Sequence, residues 1–315
     1  MVPALVTTTA RTGGLLLAAS VGVFAATGFL PGDAAQARTG GRASAAQLAE
    51  LRAGAGLDRP AWLRYWDWLT GLLRGDAGTS LVSDRPVVDL VAQRLPATVT
   101  LAAVALALTV PLMFALGGLA ARGPRILRPA TAAVVVAGAA VPQVVLAAGL
   151  VVLLSGLLGW LPPVSLLPVG ASPLTAPELL VLPALSLALP SAAYGAALLR
   201  GAIGDAAQRP HVADAALRGV PPMRLAARHL LPFVLAPATR VLAVVAGALI
   251  AATTVVETLF GYAGLGELLV AAIATRDVPV VQCVALLAAA VVVLAGLLVA
   301  DLVAAATDER RVSTP

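Results

Sequence analysis

The sequence predicts an all-α integral membrane protein with about six transmembrane helices, and three observations lead there. Of its 315 residues 60% are apolar and only 12% are charged, against about 25% charged in a soluble domain. Six stretches, 12–30, 97–121, 129–158, 178–199, 235–256 and 280–306, are apolar runs of the order of the 20 residues that a bilayer crossing needs. The short segments between them alternate between arginine-rich and nearly uncharged.

Taken in order, the run 12–30 is long enough to span. Ala35-Gln36-Ala37 resembles a small-residue cleavage site, but the expectation is an uncleaved helix. Segment 31–96 carries Trp62, Tyr65, Trp66 and Leu69 at i, i+3, i+4 and i+7, one face of a helix. That face is either an aromatic anchor at the interface or the inside of a small extracytoplasmic cap. The runs 129–158 and 280–306 exceed the minimum and are expected to tilt or to extend past the bilayer. Pro111, Pro142, Pro183 and Pro190 fall inside spans, where a freed backbone group needs a neighbouring helix or water; each reads as a structural kink or as part of a pathway.

Arginine placement sets the orientation. Loop 122–128 holds Arg122, Arg125 and Arg128 without an acid, and 200–234 holds Arg200, Arg209, Arg218, Arg224 and Arg228 against Asp205 and Asp214. Loop 159–177 is uncharged, and 257–279 has the single arginine Arg276. The first pair is therefore expected inside, the second pair outside, and both termini cytoplasmic. Segment 31–96, too long to obey the rule, is external and nearly neutral, with eight arginines against seven acids.

Composition also excludes chemistry. All 21 basic residues are arginine, so the lysine that a P-loop extends to nucleotide phosphates is missing; any ATP must be bound by another chain. One cysteine, Cys283, precludes an internal disulfide or a thiolate metal set, and His211 and His229 have no acidic ligand at helical spacing. The basic balance reads as topology, not as a nucleic-acid surface. No catalytic constellation, cofactor site or metal site is expected on this chain. An ion-gradient-driven transporter would place ionisable groups mid-span, and these spans are nearly charge-free at their centres.

The most informative stretch is 200–237. His211-Val-Ala-Asp-Ala-Ala-Leu-Arg-Gly219 is followed by Val220-Pro221-Pro222, Leu231-Pro232 and Ala236-Pro237. Gly219 suits the left-handed residue that closes a helix, and a proline after it suits the first turn of the next. The expectation is a short helix, a tight turn and a second helix, either docking a partner or lying on the lipid headgroups.

This stretch resembles the "EAA" loop of binding-protein-dependent ABC permeases: a short acidic-Ala-Ala stretch, a glycine, then Leu-Pro at fixed spacing. Leu231-Pro232 stands at the general family's spacing and Pro237 at the later proline of the peptide and nickel subgroup; Arg200 and Asp205 sit where that subgroup has a basic and an acidic residue. The sequence departs at one place, with Ala213 where a glutamate is expected and Asp214 one residue later. Further likeness is carried by Leu30-Pro31-Gly32-Asp33, Gly56-Leu57-Asp58-Arg59-Pro60, Arg74-Gly75-Asp76-Ala77-Gly78-Thr79-Ser80 and Leu95-Pro96-Ala97-Thr98. Val256-Glu257-Thr258-Leu259-Phe260, Gly264-Leu265-Gly266, Arg276-Asp277, Pro279-Val280-Val281-Gln282, Asp301 and Asp308 continue it.

The resemblance implies a type I ABC importer-like permease fold. Its parts would be residues 1–30 with the first span, an external segment 31–96 with an amphipathic helix, and a core 97–315 containing the loop 200–237. It implies a coupling helix seated on an ATP-binding subunit, with Asp205, Ala213, Asp214, Ala215, Ala216, Gly219, Pro232 and Pro237 in that loop. Small residues such as Ala213, Ala215 and Ala216 would let the helix seat closely. Glu257, Gly264, Gly266, Arg276 and Asp277 are expected in an external rim or gate; for Glu257, capping or pairing with Arg276 is the alternative. The implied partners are a second homologous permease, two ATP-binding subunits, an extracytoplasmic solute-binding protein and the lipid bilayer. The implied cargo is a small peptide or a nickel complex.

Overall fold

The computed structural model describes residues 2–28 and 59–312, with side chains for 10–28, 59–294 and 296. Leu30–Asp33, the 35–37 site and Gly56–Asp58 lie outside the described residues, and Asp301 and Asp308 outside the described side chains. The described chain is helical, with β structure limited to one antiparallel bridge, Thr79–Pro86. The helices are α1 (Val2–Gly28), α2 (Ala61–Leu73), α3 (Val87–Arg122), α4 (Leu127–Ala140), α5 (Gln143–Leu150, continued by a π turn Val151–Leu157), α6 (Glu178–Ala207), α7 (Pro210–Leu217), α8 (Pro222–Leu225, continued by a π turn Ala226–Leu230), α9 (Leu231–Phe260), α10 (Leu265–Thr275) and α11 (Val278–Val312).

Among the described residues, four stretches are long and apolar enough to cross a membrane: residues 10–28, α3, α6 and the continuous run Pro222–Phe260. The sixth expected span falls within α11, 35 residues long, of which the apolar part Val278–Leu294 is described in full. The third expected span, 129–158, is not a tilted rod. It is broken into α4 and α5, and the chain bends by 108° between them. The cause lies in the sequence: Pro142 disfavours the helical region for the residue before it, and Val141 is extended (φ −68°, ψ 125°).

The chain forms two compact units. The first comprises residues 1–99, 166–172 and 261–293, the second 100–165, 173–260 and 294–315.

In the second unit α6 is the hub. Small residues let helices approach closely where no hydrophobic drive separates them from lipid. A Cβ on Gly195 would run into the Met113 sulfur and meet Val245 at 3.2 Å, so α3, α6 and α9 converge there. Both prolines of α6 free a carbonyl four residues earlier. For Pro183 that is Leu179 O, which accepts a hydrogen bond from Ser165 Oγ at 2.6 Å. For Pro190 it is Ser186 O, which accepts from Gln143 Nε2 of α5 at 3.4 Å. The prolines are therefore satisfied by side chains, as a membrane requires.

In the first unit α2 packs on α1 through Tyr65 and Trp68, whose rings lie 5.4 and 5.9 Å from Phe24. Ser20 Oγ donates to Leu17 O, so the Tyr65 hydroxyl donates to Ser20 Oγ at 2.8 Å. The face expected from Trp62, Tyr65, Trp66 and Leu69 is thus rotated: Trp62 and Trp66 are exposed, while Trp68 replaces them against α1. Gln282 Nε2 of α11 donates to the buried Thr27 Oγ1 of α1 at 2.9 Å.

Candidate functional site: the α6–α9 connection

Helix α7 begins at Pro210, whose missing N–H costs nothing at a helix start, and ends after Leu217. Gly219 takes φ +77°. Its N–H donates to Ala216 O at 3.1 Å and the Val220 N–H donates to Ala215 O at 3.2 Å. This paired closure is a Schellman cap, in which the residue after glycine packs back on the helix. Val220 does so, against the buried cluster Val212, Ala215 and Leu225. Pro221 is extended and Pro222 opens α8. The chain then widens into the π turn 226–230, with Leu231 N–H bonded back to Ala226 O. That wide turn falls where Pro232, which lacks an N–H, would interrupt an α-helical ladder. From Pro222 to Phe260 the chain is one continuous stretch, so the connection runs directly into a span.

The loop residues separate by direction. Ala215 is only 6% exposed and faces inward, so it belongs to the hinge packing and not to an outer seat as the sequence suggested. Ala213, Asp214 and Ala216 are exposed. Asp214 is paired with Arg218 at 2.7 Å, four residues on, in solvent. Asp205 is exposed near the end of α6, Pro232 is exposed at the start of α9, and Pro237 is half-buried inside α9. Two residues escaped sequence reasoning: Leu217 and Met223 are 89% and 84% exposed on either side of the turn. Their signal was present, as large apolar side chains two residues before Gly219 and one after Pro222. Arg209 lies over the Phe233 ring at 4.3 Å, and the His211 ring lies tilted against the same ring at 4.8 Å, holding the start of α7 to the start of α9.

The second set of sequence-picked residues lies mostly in the first unit. Asp277 is buried and accepts hydrogen bonds from Ser80 Oγ and from the Leu81 N–H at 3.0 Å. Arg276 has φ +59°, a left-handed conformation uncommon for a residue with a Cβ. It closes α10 with the same two bonds that close α7: Arg276 N–H to Ile273 O and Asp277 N–H to Ala272 O. Gly264 precedes α10, where the Leu265 N–H is capped by Thr98 Oγ1 at 2.7 Å, and the buried Tyr262 hydroxyl donates to Ala97 O at 2.8 Å. Gly266 is buried in the first turn of α10, and Arg94 pairs with Glu267. The Arg74–Ser80 motif and the 264–282 motifs, far apart in sequence, therefore form one structure around Ala77, Val87, Leu268 and Val280. Glu257, in the second unit, is fully buried near the end of α9. Among the described residues no group of His, Cys, Asp and Glu is arranged to hold a metal.

Comparison with known proteins gives the following. The family model "Binding-protein-dependent transport system inner membrane component" matches residues 113–313, and the model for the N-terminal part of such membrane components matches residues 1–102. A protein of Brucella abortus named as a peptide transport system permease is 34% identical over 80% of this chain and 81% of its own length. The glutathione transport system permease proteins of Pectobacterium atrosepticum and Salmonella typhimurium are 34% and 33% identical, each over 92% of both chains.

Proposed function

The chain belongs to the binding-protein-dependent transport system inner membrane components, and from that premise we propose that it is one of two homologous permeases in an ATP-driven importer of small peptides. It is a multi-pass membrane protein that serves transport rather than catalysis. Two separate ATP-binding subunits drive it, consistent with a chain that has no lysine for a phosphate loop. An extracytoplasmic binding protein delivers the solute. The termini and the segments 122–128 and 200–237 lie on the cytoplasmic side, in keeping with their arginines.

The observation that carries the reading is the construction of α7. It is closed by a glycine cap and anchored inward by Val212 and Ala215 against Leu225 of α8, which itself runs on into a span. Outward it offers Ala213, Ala216 and the apolar tips Leu217 and Met223. A stiff element of this kind transmits a rigid-body push, which a flexible loop would absorb. An amphipathic helix on lipid headgroups would not need a packed hinge. The residues 261–282, with Asp277 latched by Ser80, form an external rim, in which Gly264, Gly266 and Arg276 take part.

The peptide assignment is supported by what the relatives are named for; a nickel complex is the competing cargo. The test is reconstitution of the chain with the products of neighbouring genes in vesicles, followed by ATPase assays with dipeptides, glutathione or nickel presented by the binding protein. Stimulation by a peptide supports the proposal. Transport by this chain alone, driven by an ion gradient, would overturn it.

A further inference from the structure

We propose that the pocket between the α3–α4 loop, α4 and the last turns of α6 binds a phosphoryl oxyanion, that of an anionic phospholipid headgroup. The pocket has a volume of about 450 Å³ and is lined by Arg125, Arg128 and Arg200 together with Ala121, Ala132 and Gly204. Its lining contains no acidic side chain. Among the described residues none of these arginines makes an ion pair; Arg128 gives one hydrogen bond, to Gly123 O at 3.2 Å. A cluster of guanidinium groups without counter-charge is stable where an oxyanion can join it, and the planar fork matches a phosphate with two parallel bonds.

The walls point to lipid as the source. The arginines alternate with apolar side chains that face out: Ile126 is 86% exposed and Leu127 51% exposed, between Arg125 and Arg128. Such a loop is at home at the boundary between acyl chains and headgroups, with the alanines offering a floor for a glycerol backbone and the arginines meeting the phosphate. A Cβ on Gly204 would meet nothing within 4 Å, so the mouth is open on the α6 side. The site is independent of the cargo and of the coupling helix; it needs only that the chain sits in a membrane.

The experiment is native mass spectrometry of the purified full chain after exchange through mixed micelles of phosphatidylglycerol or phosphatidylcholine, with inorganic phosphate as a third arm. The wild type is expected to retain phosphatidylglycerol over phosphatidylcholine. The double variant R125Q/R200Q is expected to retain severalfold less, with R125K/R200K recovering part and R74Q, an exposed arginine elsewhere, unchanged. All the replaced side chains are exposed, so a monodisperse elution profile is expected for each. Equal retention by R125Q/R200Q and the wild type would overturn the site, and equal retention of the two lipids would overturn the charge argument. Displacement by millimolar inorganic phosphate would overturn the lipid assignment in favour of a soluble phosphate. Loss of ATPase-subunit association in R125Q/R200Q with lipid retention intact would overturn it in favour of an acidic protein surface.

Discussion

Replacing Gly219 separates backbone conformation from bulk at the point where the importer is proposed to be driven. The glycine has φ +77°, and a Cβ there would meet no atom within 4 Å. Space is therefore not the cost of a substitution; conformation is. A left-handed residue with a Cβ costs roughly 1–2 kcal/mol, and a β-branched one more. Helix α7 has only 8 residues, far below the length that holds itself together in water. Its main anchor is Val212, whose full burial contributes about 1.5–3 kcal/mol. The strain is thus comparable to the anchor, and each ~1.4 kcal/mol lowers the population of the capped form tenfold. Gly219→Val is expected to cut ATP-dependent uptake by about tenfold or more on that scale, while the complex still assembles and retains basal ATP hydrolysis. Gly219→Asn, whose side chain tolerates the left-handed region, is expected to lose no more than about threefold, a strain near 0.7 kcal/mol. The assay is peptide uptake and ATPase activity in reconstituted vesicles. Wild-type uptake by Gly219→Val would refute the coupling role. Equal losses for Val and Asn would refute the backbone argument.

Three further outcomes follow from the packing. Leu217→Ser with Met223→Ser should leave the permease's thermal stability within about 0.5 kcal/mol, since both side chains are exposed, yet weaken co-purification with the ATP-binding subunit; unaltered co-purification would remove them from the docking surface. Ser165→Ala leaves Leu179 O without the donor that Pro183 makes necessary, and a loss of roughly 0.6–1.7 kcal/mol is expected in thermal unfolding, with none for the control Thr131→Ala, whose bond to Leu127 O is exposed. Ser80→Ala removes one of two donors to the buried Asp277, a charged hydrogen bond contributing about 1.5–3 kcal/mol; unchanged stability in the same assay would show that the latch is idle.

The fold class was legible because composition alone dictates the solvent, and the α7 turn was legible because glycine and proline act locally. What the sequence concealed was direction and long-range contact. An apolar run reads the same straight or bent, so 129–158 appeared as one span although Pro142 marked the break. Ala215 and Ala216 are adjacent alanines with the same composition signal, and only the packing of Val212 and Leu225 turns one inward. Tyr65 and Trp68 are chosen over Trp62 and Trp66 by Phe24 and Ser20, residues of another helix. Ser80 and Asp277 both stood inside recognised motifs, yet a separation of 197 positions left their hydrogen bond invisible. The same holds for the carbonyls freed by Pro183 and Pro190, whose donors come from elsewhere in the chain.

The most direct measurement places one cysteine at Ala216, which is exposed on α7, in a Cys283→Ser background. Membrane vesicles holding the full transporter, with single cysteines placed across the permease-facing surface of the ATP-binding subunit, are then oxidised. The account predicts a disulfide between position 216 and that subunit, and no labelling of the cysteine by an impermeant reagent added to intact cells. Labelling from outside, with no link to the ATP-binding subunit, would contradict it.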